Sequence, residues 1–273
     1  MHNVELYTKN NYYQKFIARR FYNFFGDFLK TEYESQEISL IDVGSGCGTI
    51  LSEVTVGESG LKFAKVLGID ISDKMVKFSN ETYGSELMSF RYMDAMASIP
   101  DDFSGVQFNM ATSFNVFHFF NDLKKALKTI NDLMVVNGTL GCVFFIWHRY
   151  LDAWDALIEK YPIMTNWRSH FTPLSLVDNP DEVLKKYLKE TGFEIVEFID
   201  VKNEVYNCVL PENMANTLDA VNPFFTMMSE EQQQQFSKDQ ISKIFELQGS
   251  DSLVEPFRNI YFIARKVHSC STD

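Results

Sequence analysis

What this 273-residue chain lacks already closes off several classes of protein. No apolar run approaches 18 residues, so no stretch is suited to crossing a membrane. The opening residues, Met1-His2-Asn3-Val4-Glu5, show no basic segment followed by an apolar one, and no signal peptide is expected. Cysteine is sparse and dispersed. Cys47, Cys142, Cys208 and Cys270 form no C-x-x-C pair and have no His at zinc spacing, so neither a metal site nor a disulfide framework is expected. Four thiols in a chain this long imply a reduced, cytoplasmic setting. Positive charge is thin, with 25 Lys and Arg against 37 Asp and Glu, a net charge of −12. Phosphate binding needs clustered cations, so nucleic acid is not an expected partner. The densest basic groups, Lys124-Lys125 with Lys128 and Lys185-Lys186 with Lys189, fall on helix-like segments and read as solvated faces.

What the chain has in excess is phenylalanine, 25 residues of it. That surplus suits an aromatic-lined cavity or apolar groove, or equally a dense core built with Phe in place of Leu. An exposed apolar face that would pair two copies as a homodimer cannot be told from a pocket at this level. Residues 1–35 read as helical and aromatic, with Tyr7, Tyr12, Tyr13, Phe16, Phe21, Tyr22, Phe24, Phe25 and Phe28 recurring at spacings of three and four. Strand candidates then follow at 38–43, 65–70, 88–92, 106–112 and 138–146, with helix candidates at 48–56, 72–82 and 120–135. The helix at 72 carries a Ser72 cap and Asp73 in its first turn. This alternation predicts an α/β fold, a doubly wound, mostly parallel sheet with helices on both faces. Beyond 147, helices are expected at 150–160, 180–191 and 211–248, and strands at 193–201 and 257–266 complete a seven-stranded sheet. The whole chain, 1–273, is read as one domain. Helical material at 147–178 and 205–255 has no place in the sheet and is expected to cap its C-terminal edge.

The most informative stretch is Ile38-Ser39-Leu40-Ile41-Asp42-Val43-Gly44-Ser45-Gly46-Cys47-Gly48-Thr49. An apolar strand ends near an acid, and glycines follow at every second position, where the backbone can turn sharply and approach a ligand. A dinucleotide fold wants its third glycine one place later, where Thr49 stands, and no Lys follows to make a nucleotide-triphosphate loop. Asp70 ends the next strand and Asp94 the one after. Acids at three successive strand ends favour S-adenosylmethionine (SAM), giving S-adenosylhomocysteine as product. Gly44, Ser45 and Gly46 would face its amino-acid tail, and Asp42 would pair with its ammonium. Asp70 would accept both ribose hydroxyls. Ile71 would pack on adenine, Asp94 and the Ala95 backbone would read the ring edge, and Ser113 faces the same crevice. For any one of these acids, terminating a strand or capping a helix is the competing role.

These motifs resemble the class I SAM-dependent methyltransferases and, within them, the insect juvenile hormone acid methyltransferases, over nearly the whole chain. The resemblance is carried by Tyr7 to Gln14-Lys15, by Gly68-Ile69-Asp70-Ile71-Ser72-Asp73-Lys74-Met75-Val76-Lys77, and by Ser89-Phe90-Arg91 with Asp94. Ser113-Phe114 with His118 and Val221-Asn222-Pro223-Phe224 complete it. It implies methyl transfer from SAM to the carboxylate of a farnesoid acid, with Met75 among the cofactor-binding residues. Gln14 is then the first candidate to hold the carboxylate, with His118 nearby. A carboxylate is nucleophilic at neutral pH, so alignment and exclusion of water suffice. One departure stands out: where the family pattern has His followed by Trp, this chain reads His118-Phe119, and Phe cannot donate a hydrogen bond. Tyr12, Phe119, Trp147 and Phe224 are candidates to line a pocket for a small hydrophobic carboxylic acid, as are Trp154 and Trp167. A phenol- or amine-directed methyltransferase and a non-catalytic isoprenoid-acid carrier are the competing readings.

Overall fold

A computed structural model describes residues 4–103, 105–207, 211–250 and 254–268. Cys208 and Cys270 lie outside them. Seven strands form one sheet: β1 (Ile38–Val43), β2 (Phe63–Asp70), β3 (Met88–Tyr92), β4 (Phe108–Phe114), β5 (Met134–His148), β6 (Phe193–Asn207) and β7 (Val254–Lys266). Their order is β3-β2-β1-β4-β5-β7-β6. The first five pair in parallel, and β7 runs antiparallel between β5 and β6.

Alternation along the strands explains the two-faced layering, because successive side chains leave opposite faces. Leu40, Val66, Met110 and Val143 share one core with Ile17, Phe21, Phe25 and Leu29 of α2 (Tyr12–Glu32). Their neighbours Ile41, Leu67, Ala111 and Cys142 share the other core. There they meet α4 (Leu123–Asp132) and α6 (Pro180–Glu190) through Ala126, Leu127, Ile130, Leu184 and Leu188. The doubly wound sheet expected from the sequence is therefore present, with each helix supplying one apolar stripe.

Several elements differ in detail from the sequence reading. The N-terminal helical segment breaks at Asn11 into α1 (Val4–Asn10) and α2. The turn after the glycines is a π-helical segment, Ile50–Val56. The helix expected over 211–248 divides into α7 (Pro211–Val221) and α8 (Glu230–Gln248). Pro223 lacks the N–H needed to continue α7, and the Asn222 side chain turns back to accept from the Phe224 N–H at 2.8 Å. Helix α3 (Asp73–Tyr83) begins as expected, with Ser72 Oγ accepting from the Met75 N–H at 3.4 Å.

Helices α7 and α8 pack on each other, α5 (Arg149–Leu157) packs on α8, and α1 packs on α7. The Thr217 hydroxyl of α7 donates to the Asn10 carbonyl of α1 at 3.0 Å. Val221, Pro223 and His170 face the C-terminal ends of β1, β2 and β4 across a cleft, so a helical cap covers that edge. Among the described residues no helix is long and apolar enough to cross a membrane.

Candidate active site

Two adjoining cavities lie at the C-terminal edge of the sheet. The larger, about 1050 Å³ including space open to solvent, is bordered by Gly44, Asp70, Ile71, Met93, Asp94 and Ala95. The second, about 550 Å³ on the same basis, is lined by aromatic rings with Gln14, Asn115 and His118 among them. Tyr7, Asn115, Phe119 and Val221 border both.

The larger cavity owes its shape to the glycine loop. Gly44, Gly46 and Gly48 have φ of 76°, 54° and 77°, which other L-residues rarely adopt. A side chain on Gly44 would also meet Val116 at 2.4 Å, so Val116 packs directly over the loop. Gly44 and Ser45 donate their N–H groups to the Ile69 carbonyl at 2.8 and 2.9 Å. Asp70 is fixed from two sides: the Gly46 N–H donates to Oδ2 at 2.8 Å and the Ser72 N–H to Oδ1 at 2.9 Å. Each carboxylate oxygen has a further lone pair, so a ligand bearing two adjacent hydroxyls fits Asp70 as it stands. Ile71 is exposed and presents an apolar surface to the same space. Asp94 Oδ1 accepts from the Met96 N–H at 2.8 Å, which steadies the carboxylate on the cavity wall.

Other expected cofactor residues sit behind this wall. Asp42 is buried beneath the loop, accepts from the Thr112 hydroxyl at 2.6 Å, and has its pKa pushed up to about 7, chiefly by burial. Ser113 is buried, and its hydroxyl is used by the Val43 carbonyl at 2.9 Å. Met75 is fully buried in a small core with Tyr7, Cys47 and Ala220. The Ser45 hydroxyl is buried without a partner among the described residues. Asn11 donates to Cys47 Sγ at 3.7 Å, tying the α1–α2 break to the loop.

The second cavity brings Gln14 and His118 together. Gln14 Oε1 and His118 Nδ1 are both buried without a partner among the described residues. The His118 ring stacks on Phe145 at 3.8 Å and meets Phe119 at 4.1 Å. Burial without a charged neighbour holds its pKa well below the ordinary histidine value, so the ring is neutral at pH 7. Phe119 forms part of the wall between the cavities.

Five pocket candidates are placed elsewhere. Tyr12 is 55% exposed on the outer side of α2. Trp147 follows an irregularity in the β5–β7 pairing and donates its indole N–H to Asp152 at 3.2 Å. Phe224 is buried against His170 at 5.0 Å, while its neighbours Val221 and Pro223 border the larger cavity. Trp154 and Trp167 pack edge-to-face in the core. Sequence reasoning missed Asn115, Tyr13, Tyr150 and Phe257, all of which line the second cavity. Tyr13 was within reach of the pattern, since it adjoins Gln14.

Residues 41–142 match the methyltransferase domain family. The segment begins in β1 and runs through the glycine loop, Asp70, Asp94 and His118 into β5. That segment is therefore similar to a methyltransferase domain. The whole chain is similar to the juvenile hormone acid O-methyltransferase of Drosophila melanogaster, 25% identical over 97% of this chain and 93% of that one. It is also similar to the Bombyx mori protein of the same name, 26% identical over 82% of this chain and 80% of that one. Among solved structures, YcgJ from Bacillus subtilis superposes over 85% of this chain and 93% of its own. Its TM-score is 0.52 at 15% identity, a likeness of fold. The two-sided cradle of Asp70 and the open glycine loop suit the ribose and amino-acid tail of SAM, which supplies an electrophilic methyl group when bound.

Proposed function

We propose that this methyltransferase forms the methyl ester of a hydrophobic, farnesoid-type monocarboxylic acid. The observation that carries the reading is the second cavity: aromatic, adjoining the larger one, and furnished with neutral polar groups only. Among the described residues, no Lys or Arg lines either cavity. A carboxylate there is held by neutral donors and keeps its nucleophilic electron pair, whereas a tight ion pair would blunt it. Gln14 offers an amide from the first turn of α2, and His118 offers a neutral imidazole. Tyr13, Phe119, Phe145 and Phe257 surround the tail and exclude water. Burying each methylene contributes about 0.8 kcal/mol, so a fifteen-carbon chain binds by shape.

No proton need be removed from a carboxylate, so no general base is required. His118 is poorly suited to deprotonating a phenol, because its conjugate acid is strongly disfavoured in this pocket. The two insect relatives are named for the same class of reaction, which supports the reading. In this reading Gly44, Gly46, Asp70, Ile71, Asp94 and Ala95 hold SAM, Asp42, Ser45, Met75 and Ser113 support that shell, and Gln14, His118 and Phe119 meet the acid. The test is transfer of a labelled methyl group from SAM across a panel of farnesoid, fatty and aromatic acids, phenols and amines. Label in a farnesoid ester is the expected result. Label only in a phenol or amine, or in none of the panel, overturns the reading.

A further inference from the structure

Asn115 follows β4 and is one of two non-glycine residues with positive φ among the described residues, at 61°. That conformation is costly for an L-residue, and asparagine bears it best. The backbone is pinned there by its N–H, which donates to the Val143 carbonyl at 2.7 Å. Both polar atoms of the side chain are buried, and neither has a partner among the described residues. An amide so placed forfeits hydrogen bonds it would make in water, a cost that calls for an explanation. Asn115 also borders both cavities, beside Val116, which packs over Gly44. Gln14 and His118, which also line the second cavity, carry buried unpartnered atoms as well. Of the other residues that border both cavities, Phe119 and Val221 have no donor to offer, and Tyr7 carries a hydroxyl.

Building on the carboxyl-methylation reading, we propose that Asn115 binds the carboxylate of the acid, donating from its side-chain amide to an oxygen held where the cavities meet. Asn115 borders both cavities, and its empty valences are those a substrate fills. Gln14 and Asn115, carried by α2 and by the β4 loop, then grip the carboxylate from two elements of the fold. With neutral donors alone the group recognised is a single carboxylate, and a second one on the same molecule would be left buried without a counter-charge.

Asn115→Gly keeps the backbone conformation and removes the amide; Asn115→Asp keeps the shape and opposes the substrate's charge. The full-length protein is assayed with farnesoic acid for ester formation and, separately, by calorimetry for S-adenosylhomocysteine binding and for farnesoic acid binding to the S-adenosylhomocysteine complex. Asn115→Gly is expected to bind S-adenosylhomocysteine within about twofold of wild type, and to lose about ten- to hundredfold in kcat/KM, the value of a charge-assisted hydrogen bond. Asn115→Asp is expected to lose more, with farnesoic acid binding falling in step. Wild-type turnover with Asn115→Gly unchanged would overturn the role of Asn115 and leave the methylation reading standing. Parallel loss of S-adenosylhomocysteine binding would overturn it as well, by showing a structural role. A wild type that neither binds nor esterifies farnesoic acid would overturn the assignment of Asn115 together with the farnesoid-acid reading.

Discussion

Raising the pH from 5 to 8 is expected to weaken the ligand-free protein through one buried side chain, Asp42. Its pKa stands at about 7 in the fold against 3.8 in an exposed chain, because it lies under the glycine loop with no cation beside it. The nearby Asp70 carboxylate pushes the same way, and the hydrogen bond from Thr112 opposes both. A folded pKa above the unfolded one means that folding holds a proton the unfolded chain gives up. Stability is therefore lost as pH rises through the interval from 3.8 to about 7. At 1.36 kcal/mol per pH unit, this group opposes folding by about 2 kcal/mol at pH 5 and about 4 kcal/mol at pH 8. Asp42→Asn removes the titration and keeps an oxygen for Thr112. Urea denaturation of both proteins at pH 5 and pH 8, without ligand, reads the effect, since groups that do not interact with Asp42 cancel in the difference. Asn should gain about 2–3 kcal/mol on Asp between the two pH values. A difference that stays constant with pH would refute the assignment of a neutral, desolvated Asp42.

Asp70→Ala strips the acceptor from the Gly46 and Ser72 N–H groups as well as from the ligand, and calorimetry should show no S-adenosylhomocysteine binding. Gln14→Ala should bind S-adenosylhomocysteine normally while ester formation falls about tenfold or more; full activity would remove Gln14 from the substrate site. With SAM saturating, kcat should be flat from pH 6.5 to 9, because His118 is already neutral at the acid end of that range; a limb falling toward low pH would reveal a base. Phe119→Trp restores a donor at the wall between the cavities and should raise turnover of farnesoid acids, and an unchanged rate would show that nothing is missing there.

The sheet was legible because alternation and strand-end acids are properties of contiguous residues. Residues 38–43 and 65–70 announce themselves as buried parallel strands, with an acid at or beside the end of each. The α2 face was harder. Tyr12, Tyr13 and Gln14 are adjacent, and a helix turns 100° per residue, so neighbours point in different directions. The sequence does not set the phase in the first turn, and Tyr12 proves to be outside while Gln14 is buried. Trp147 was a candidate because it directly follows the strand expected at 138–146; β5 runs on through it to His148, with its pairing slipping between Phe145 and Trp147. Asn115 carries no pattern at all: its interest lies in a backbone angle and in two cavities that meet, neither of which a local motif encodes.

Val116 occupies the volume that a side chain on Gly44 would need, so the loop beside the nucleoside chamber and the loop carrying Asn115 press on one another. A shift of one loop on ligand binding has to be accommodated by the other, and any coupling that results is reciprocal. A bulkier or smaller residue at 116, which also borders the larger cavity, would change that contact and the shape of the chamber together.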